Sequence, residues 1–120
     1  MMQADVGVFP SRAEGWNLEA LEMMSVGKRV IMTDYSAHTE FATDSNSKLI
    51  KIEETEPAYD GIWFEGQGEW ACMGENQIEQ LVHHMRECHI EKNETNESGV
   101  STAKTFSWDN CAKKIMEALK

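Results

Sequence analysis

The sequence holds no closely spaced cysteine pair. Cys72, Cys88 and Cys111 are an odd, scattered set without a C-x-x-C, which argues against a disulfide framework or a zinc ribbon and fits reduced thiols. No apolar run approaches the ~20 residues that a bilayer-spanning helix needs. The start, M-M-Q-A-D, has neither the basic flank nor the apolar core of a signal peptide, so the expectation is a cytoplasmic chain without a membrane span. Basic residues are scarce, 11 against 21 acidic, for a formal charge of −10. That excludes nucleic acid or an anionic membrane as the partner of the surface as a whole. A small anionic ligand is not excluded, because a helix terminus acts within its own turn while distant acids are screened over ~8 Å. At 120 residues there is room for one domain with a modest core. Asn93-Glu94-Thr95 and Asn96-Glu97-Ser98 fit the glycosylation pattern, and without a secretory route they read as chance matches in a polar stretch.

What is present is concentrated between Pro10 and Thr33, P-S-R-A-E-G-W-N-L-E-A-L-E-M-M-S-V-G-K-R-V-I-M-T. Val6 to Phe9, ended by Pro10, and Arg29 to Thr33, ended by Asp34, read as buried strands. Between them Leu18, Leu21 and Ser25 share one helical face, with Ala20, Met23 and Met24 covering most of the remainder. Gly27 supplies a C-terminal stop. Strand, loop, helix and strand in this order predict a right-handed crossover on a parallel sheet, with the helix start above the carboxyl ends of the strands, where open α/β sheets bind ligands. Glu14 and Gly15 sit at that mouth. Glu19 and Glu22 form the helix's polar strip, which puts Glu22 about two turns below Glu14. Unpaired amides at the helix start favour an anion or an array of sugar hydroxyls, and Gly15 lets a ligand approach the backbone.

These residues carry a family resemblance. The stretch from Ala4 to Phe41, with glutamates at Glu14 and Glu22 separated by seven residues, resembles the C-terminal nucleotide-sugar domain of GT-B fold, group 1 retaining glycosyltransferases. F-S-W at Phe106 to Trp108 resembles the start of that family's closing helix. The resemblance implies a partial Rossmann-like α/β domain of about three parallel strands with flanking helices, the C-terminal half of a GT-B domain, as one unit over residues 1–120. It implies a nucleotide-diphosphate sugar as substrate, no cofactor and no metal. Glu14 would face the donor sugar near the reacting carbon as the catalytic carboxylate. Amides of Gly15, Trp16, Asn17 and Leu18 would hold hydroxyls and phosphate, and Glu22 would grip the ribose. Ser11, His38 and Glu40 are further candidates at the rim. The family's diphosphate-clamping Arg and Lys have no counterpart here, so the chain reads as a fragment lacking its N-terminal acceptor domain. The other reading is a non-catalytic nucleotide-binding or self-associating module, a homodimer through the open edge of the first strand.

The rest of the chain gives coarser expectations. Met1 to Asp5 reads as the tail of a helix or its turn. Ser36 reads as the N-cap of a short helix holding Glu40, and Lys48 to Ile52 as a third, short strand near an edge. Glu53 to Gly74, with four glycines between Gly61 and Gly74, reads as a long loop whose Trp63, Phe64 and Trp70 pin it to the core. Glu75 to His89 is an amphipathic helix with Ile78, Leu81, Val82, Met85 and Cys88 or His89 on its apolar face. His84 and Cys88 are four apart, but they overlap that face and no second ligand pair follows, so no metal is expected. Glu91 to Gly99 reads as a polar linker, and Ser107 as the cap of a last helix with Trp108, Cys111, Ala112, Ile115 and Leu119 on one face.

Overall fold

The computed structural model describes residues 3–120. The crossover forms as the pattern predicts: strand β1 (Val6–Phe9), helix α1 (Leu18–Ser25) and strand β2 (Arg29–Thr33). A short 3-10 helix (Ser36–Glu40) then leads to β3 (Lys48–Ile50). The sheet runs β1-β2-β3, all parallel, with Phe9 beside Met32 and Thr33 beside Ile50. β3 stops at Ile50, short of the expected Ile52, because Lys51 turns out to accept side chains at its backbone: Gln80 takes its amide and Gln77 its carbonyl.

Alternation along β2 builds the core. Val30 and Met32 point into one cluster with Ala20, Leu21, Met23 and Met24 of α1, whereas Ile31 points into another with Ile50 and Cys88. Val30, Ile31 and Met32 are fully buried, each stabilising the fold by roughly 1.5–3 kcal/mol. Both faces of the sheet are therefore covered, as a parallel sheet requires. The first is covered by α1 and by helix α3 (Glu97–Thr105), the second by helix α2 (Glu75–Ile90). This is a partial Rossmann-like α/β fold. Gly27 ends α1 with φ +73°, and a Cβ there would lie 2.7 Å from the Thr95 side chain, so the helix stop needs glycine for both conformation and space.

Several expectations are corrected. Glu53 to Gly74 is not a loop but an antiparallel hairpin, β4 (Thr55–Tyr59) and β5 (Glu65–Ala71), with a register shift between Pro57 and Tyr59. Its tip is tied by Asp60, whose carboxylate accepts the amides of Ile62, Trp63 and Phe64. Those amides, Phe64's foremost, hold its carboxyl below the usual range. Trp70 pins as expected, paired with Phe64 and covered by Arg12, but Trp63 is 79% exposed and pins nothing. The polar linker gives way at Glu97 to α3. Asn96 caps this helix at the Gly99 amide and also donates to the carbonyls of Lys28 and Asn46.

Helix α2 forms, but Ile78, Val82 and Met85 face solvent, while Gln77 and Cys88 are buried and Leu81 packs on the sheet. The packed face was missed because polar side chains serve it: Gln77 reaches the Lys51 carbonyl and His84 the Leu49 carbonyl. The last helix, α4 (Trp108–Ala118), is capped by Ser107 and leaves Trp108, Ile115 and Leu119 exposed. The helix tail expected over Met1 to Asp5 falls partly on Met1 and Met2, outside the described residues; Gln3 to Asp5 are non-helical. Among the described residues, β1 pairs on one side only, and no helix is long and apolar enough to cross a membrane.

Candidate functional site

The parallel strands all deliver their carboxyl ends to one side, and the loop Pro10 to Asn17 and the 3-10 helix meet there. Thr33, the last residue of β2, donates its hydroxyl to the Ser11 carbonyl at 2.7 Å. Ser11 donates its own hydroxyl to Glu14 Oε1 at 2.6 Å, which fixes the carboxylate's direction and leaves its other oxygen open to a ligand. Ser36 was expected to cap its own short helix. Instead its φ is +52° and its hydroxyl accepts the Glu14 amide at 2.8 Å. Glu14 is thus held from both backbone and side chain at the mouth, half-buried rather than enclosed in the core.

His38 is the keystone beneath. It is fully buried, with Nε2 2.8 Å from Asn17 Nδ2 and Nδ1 2.9 Å from the Thr33 carbonyl. Asn17 Oδ1 already accepts the Ala20 amide as the α1 cap, so Nδ2 is the end that faces the ring. Nε2 therefore accepts, and Nδ1–H donates to Thr33. This pairing holds Asn17 at φ +70°, a left-handed conformation that non-glycine residues rarely adopt. Both ring nitrogens of His38 are thus engaged by the protein beneath the mouth. Glu40, at the end of the same short helix, is exposed.

Among the described residues, the amides of Gly15, Trp16, Asn17 and Leu18 have no protein acceptor. A Cβ at Gly15 would meet nothing within 4 Å, so the backbone there is open. The Trp16 side chain packs against Phe41 and Phe106, with ring centroids 5.7 and 5.4 Å away.

Two concavities flank this helix tip. Glu14 and Gly15 line one of about 390 Å³, walled on the other side by Phe64, Gln67, Glu69 and Trp70 of the hairpin. The hairpin is anchored at that wall through Arg12, which pairs with Glu56, donates to the Ala71 carbonyl and covers Trp70. Tyr35 adds a bond to the Glu69 carbonyl. The other concavity, about 450 Å³, lies between α1 and α4 and is lined by Trp16, Leu18, Glu22, Phe106 and Trp108. The two glutamates therefore belong to neighbouring hollows on either side of the α1 tip. The spacing argument placed them along one helix edge but did not foresee the hairpin and α4 that divide the surface.

The His84–Cys88 pair does not form a site: Cys88 is buried beside Ile31 and Ile50, and burial pushes its thiol pKa up. His84 instead meets Glu87 and His83. The His84 contact, followed by Lys48, holds the Glu87 carboxyl below its usual range.

A crossover on a parallel sheet, with an open helix tip and a fixed carboxylate above the strand ends, is the arrangement of an α/β domain of Rossmann type. The sequence profile of the family described as Glycosyl transferases group 1 matches residues 1–61, more than half of the chain, and the chain belongs to that family. The matched part contains β1, α1, β2, β3 and the mouth between them. Comparison with curated proteins gives no match.

Proposed function

We propose that the chain is the donor-binding part of a retaining glycosyltransferase of GT-B architecture, taking a sugar from a nucleotide-diphosphate donor. The observation that carries this is the α1 tip: a carboxylate fixed by Ser11 and Ser36 beside unpaired amides, inside the segment that matches the family. In retaining transfer the anomeric carbon gains positive charge while the leaving diphosphate gains negative charge. Amides from Gly15 to Leu18, at the positive end of α1, stabilise the phosphate. The free oxygen of Glu14 orients the sugar hydroxyls or stabilises the cationic ring, an electrostatic contribution made in place before the reaction begins. Glu22 takes the ribose hydroxyls from the groove between α1 and α4, with the sugar on the hairpin side of the tip. The scheme assigns no step to a metal. The open β1 edge is where a strand of an acceptor domain, or of a second copy, would add.

One observation favours the second reading, a binding module without turnover. Arg12, the basic side chain of the mouth loop, is committed to Glu56 and Trp70, so no side-chain cation is supplied to the diphosphate by that loop. Calorimetric titration with sugar nucleotides of UDP, GDP and ADP tests donor recognition itself. Binding of one of these is expected, and it should be lost in Gly15→Val. Because a side chain at Gly15 would project into open space, that variant should melt within about 2 °C of the parent, a surface-type effect of under ~0.5 kcal/mol. Equal affinity in Gly15→Val would overturn the assignment.

A further inference from the structure

On α2, His83, His84 and Glu87 bring three ligand atoms within 4.8 Å of one another. His84 Nε2 lies 3.1 Å from the Leu49 carbonyl on β3. A carbonyl only accepts, so Nε2 carries the hydrogen; Nδ1 faces Glu87 Oε2, 3.3 Å away, where it donates to the carboxylate when protonated and offers a lone pair to a cation when not. His83 Nε2 stands 3.5 Å from the other carboxylate oxygen, Oε1. With Nδ1 deprotonated, three electron-pair donors converge, an arrangement that a cation shared among them would stabilise. The Lys48 ammonium, 3.3 Å from Oε2, neutralises the carboxylate but gives the imidazoles nothing to bind.

We propose that His83, His84 and Glu87 form a binding site for a divalent transition metal of the zinc class. Zinc held at ~2.0–2.1 Å by nitrogen and oxygen sets neighbouring ligand atoms ~3.3 Å apart; each imidazole nitrogen stands near that distance from one of the two carboxylate oxygens, and the set, within 4.8 Å overall, closes around the ion. Two imidazoles and a carboxylate select zinc, cobalt or nickel over calcium and magnesium, which prefer oxygen alone. The bond from His84 to Leu49 is the outer-shell contact that fixes the tautomer of a metal-bound histidine. His83 and His84 line an open concavity with Asp44 and Glu79, which gives an ion access, and the Lys48 side chain, 31% exposed, swings out as the ion enters. The site is separate from the Glu14 mouth and fastens α2 to β3, since the same His84 ring would hold both the metal and the strand.

Calorimetric titration of the full chain with zinc chloride at neutral pH tests this. One equivalent should bind, with affinity weakened by about tenfold or more in His83→Ala and in Glu87→Gln, as expected for loss of one ligand in three. His83 is mostly exposed, so its variant folds regardless of what His84→Ala does. Cobalt(II) should give a spectrum without thiolate charge-transfer absorption. Failure of the parent chain to bind zinc would overturn the proposal, as would unchanged affinity in both variants or a thiolate band that points to Cys72 or Cys111.

Discussion

Replacing Glu14 by Gln should lower sugar transfer by about 10²–10³-fold in an enzyme carrying this domain, the scale expected when one preorganised electrostatic contact to the transition state is removed. The fold should survive, because the amide oxygen of Gln still accepts from Ser11 and the backbone amide at position 14 still donates to Ser36. What disappears is the negative charge near the anomeric carbon. The loss should therefore fall on kcat, with KM for the donor little changed, since the amides of Gly15 to Leu18 bind the ground state equally well in both proteins. Steady-state kinetics with a thermal melt as control separates the two contributions. Retained turnover would remove Glu14 from the chemistry.

A second large effect is expected at His38. His38→Ala opens a cavity at a fully buried position and strips both the Asn17 side-chain amide and the Thr33 carbonyl of their partner. Cavity and unpaired polar groups together should cost about 3 kcal/mol, measurable as a lower urea midpoint with an unchanged slope. The damage should not be confined to stability. Without the ring, Asn17 has no reason to stay left-handed, the α1 cap loosens, and the amides between Gly15 and Leu18 lose their common direction. Where enough folded protein remains to titrate, donor binding should weaken with it. A variant that loses stability but binds the donor as the parent does would show that His38 supports the core alone.

The crossover was readable from sequence because each signal agreed with the next. Apolar runs ended by Pro10 and Asp34, helical spacing between them, and a glycine stop at Gly27 all describe the same unit, and local and global preferences coincide there. Elsewhere the decisive contacts are distant in sequence. Helix α3 contains Ser98, Gly99, Ser101 and Thr102, poor helix formers, and exists because Asn96 ties its start to Lys28 and Asn46. The hairpin was hidden by Gly66 and Gly68, both at positive φ within β5, and by Pro57 within β4. In α2 the periodicity announced the helix correctly but named the wrong face, because hydrogen bonds from Gln77 and His84 to the sheet outweigh the burial of Ile78, Val82 and Met85.

The site divides in the same way. Glu14, Gly15 and the helix start were visible from spacing and resemblance, whereas the clamp that holds them was not. Ser36 and His38 lie 22 and 21 positions from the groups they hold, Glu14 and Asn17. In sequence Ser36 reads as the cap of its own short helix and His38 as a rim candidate; their grip on the mouth comes only with the 3-10 helix folded over it. Separation of Glu14 and Glu22 into neighbouring hollows depends on Trp70 and Trp108, residues that no local pattern connects to α1.

The central claim is that the open amides at the tip of α1 receive the phosphate and sugar of a nucleotide donor. Amide spectra of the isotope-labelled chain, recorded while a sugar nucleotide is added, test it residue by residue. Saturating shifts at Gly15, Trp16, Asn17 and Leu18, absent in Gly15→Val, are the predicted result; a donor that binds while leaving those four signals in place would contradict it.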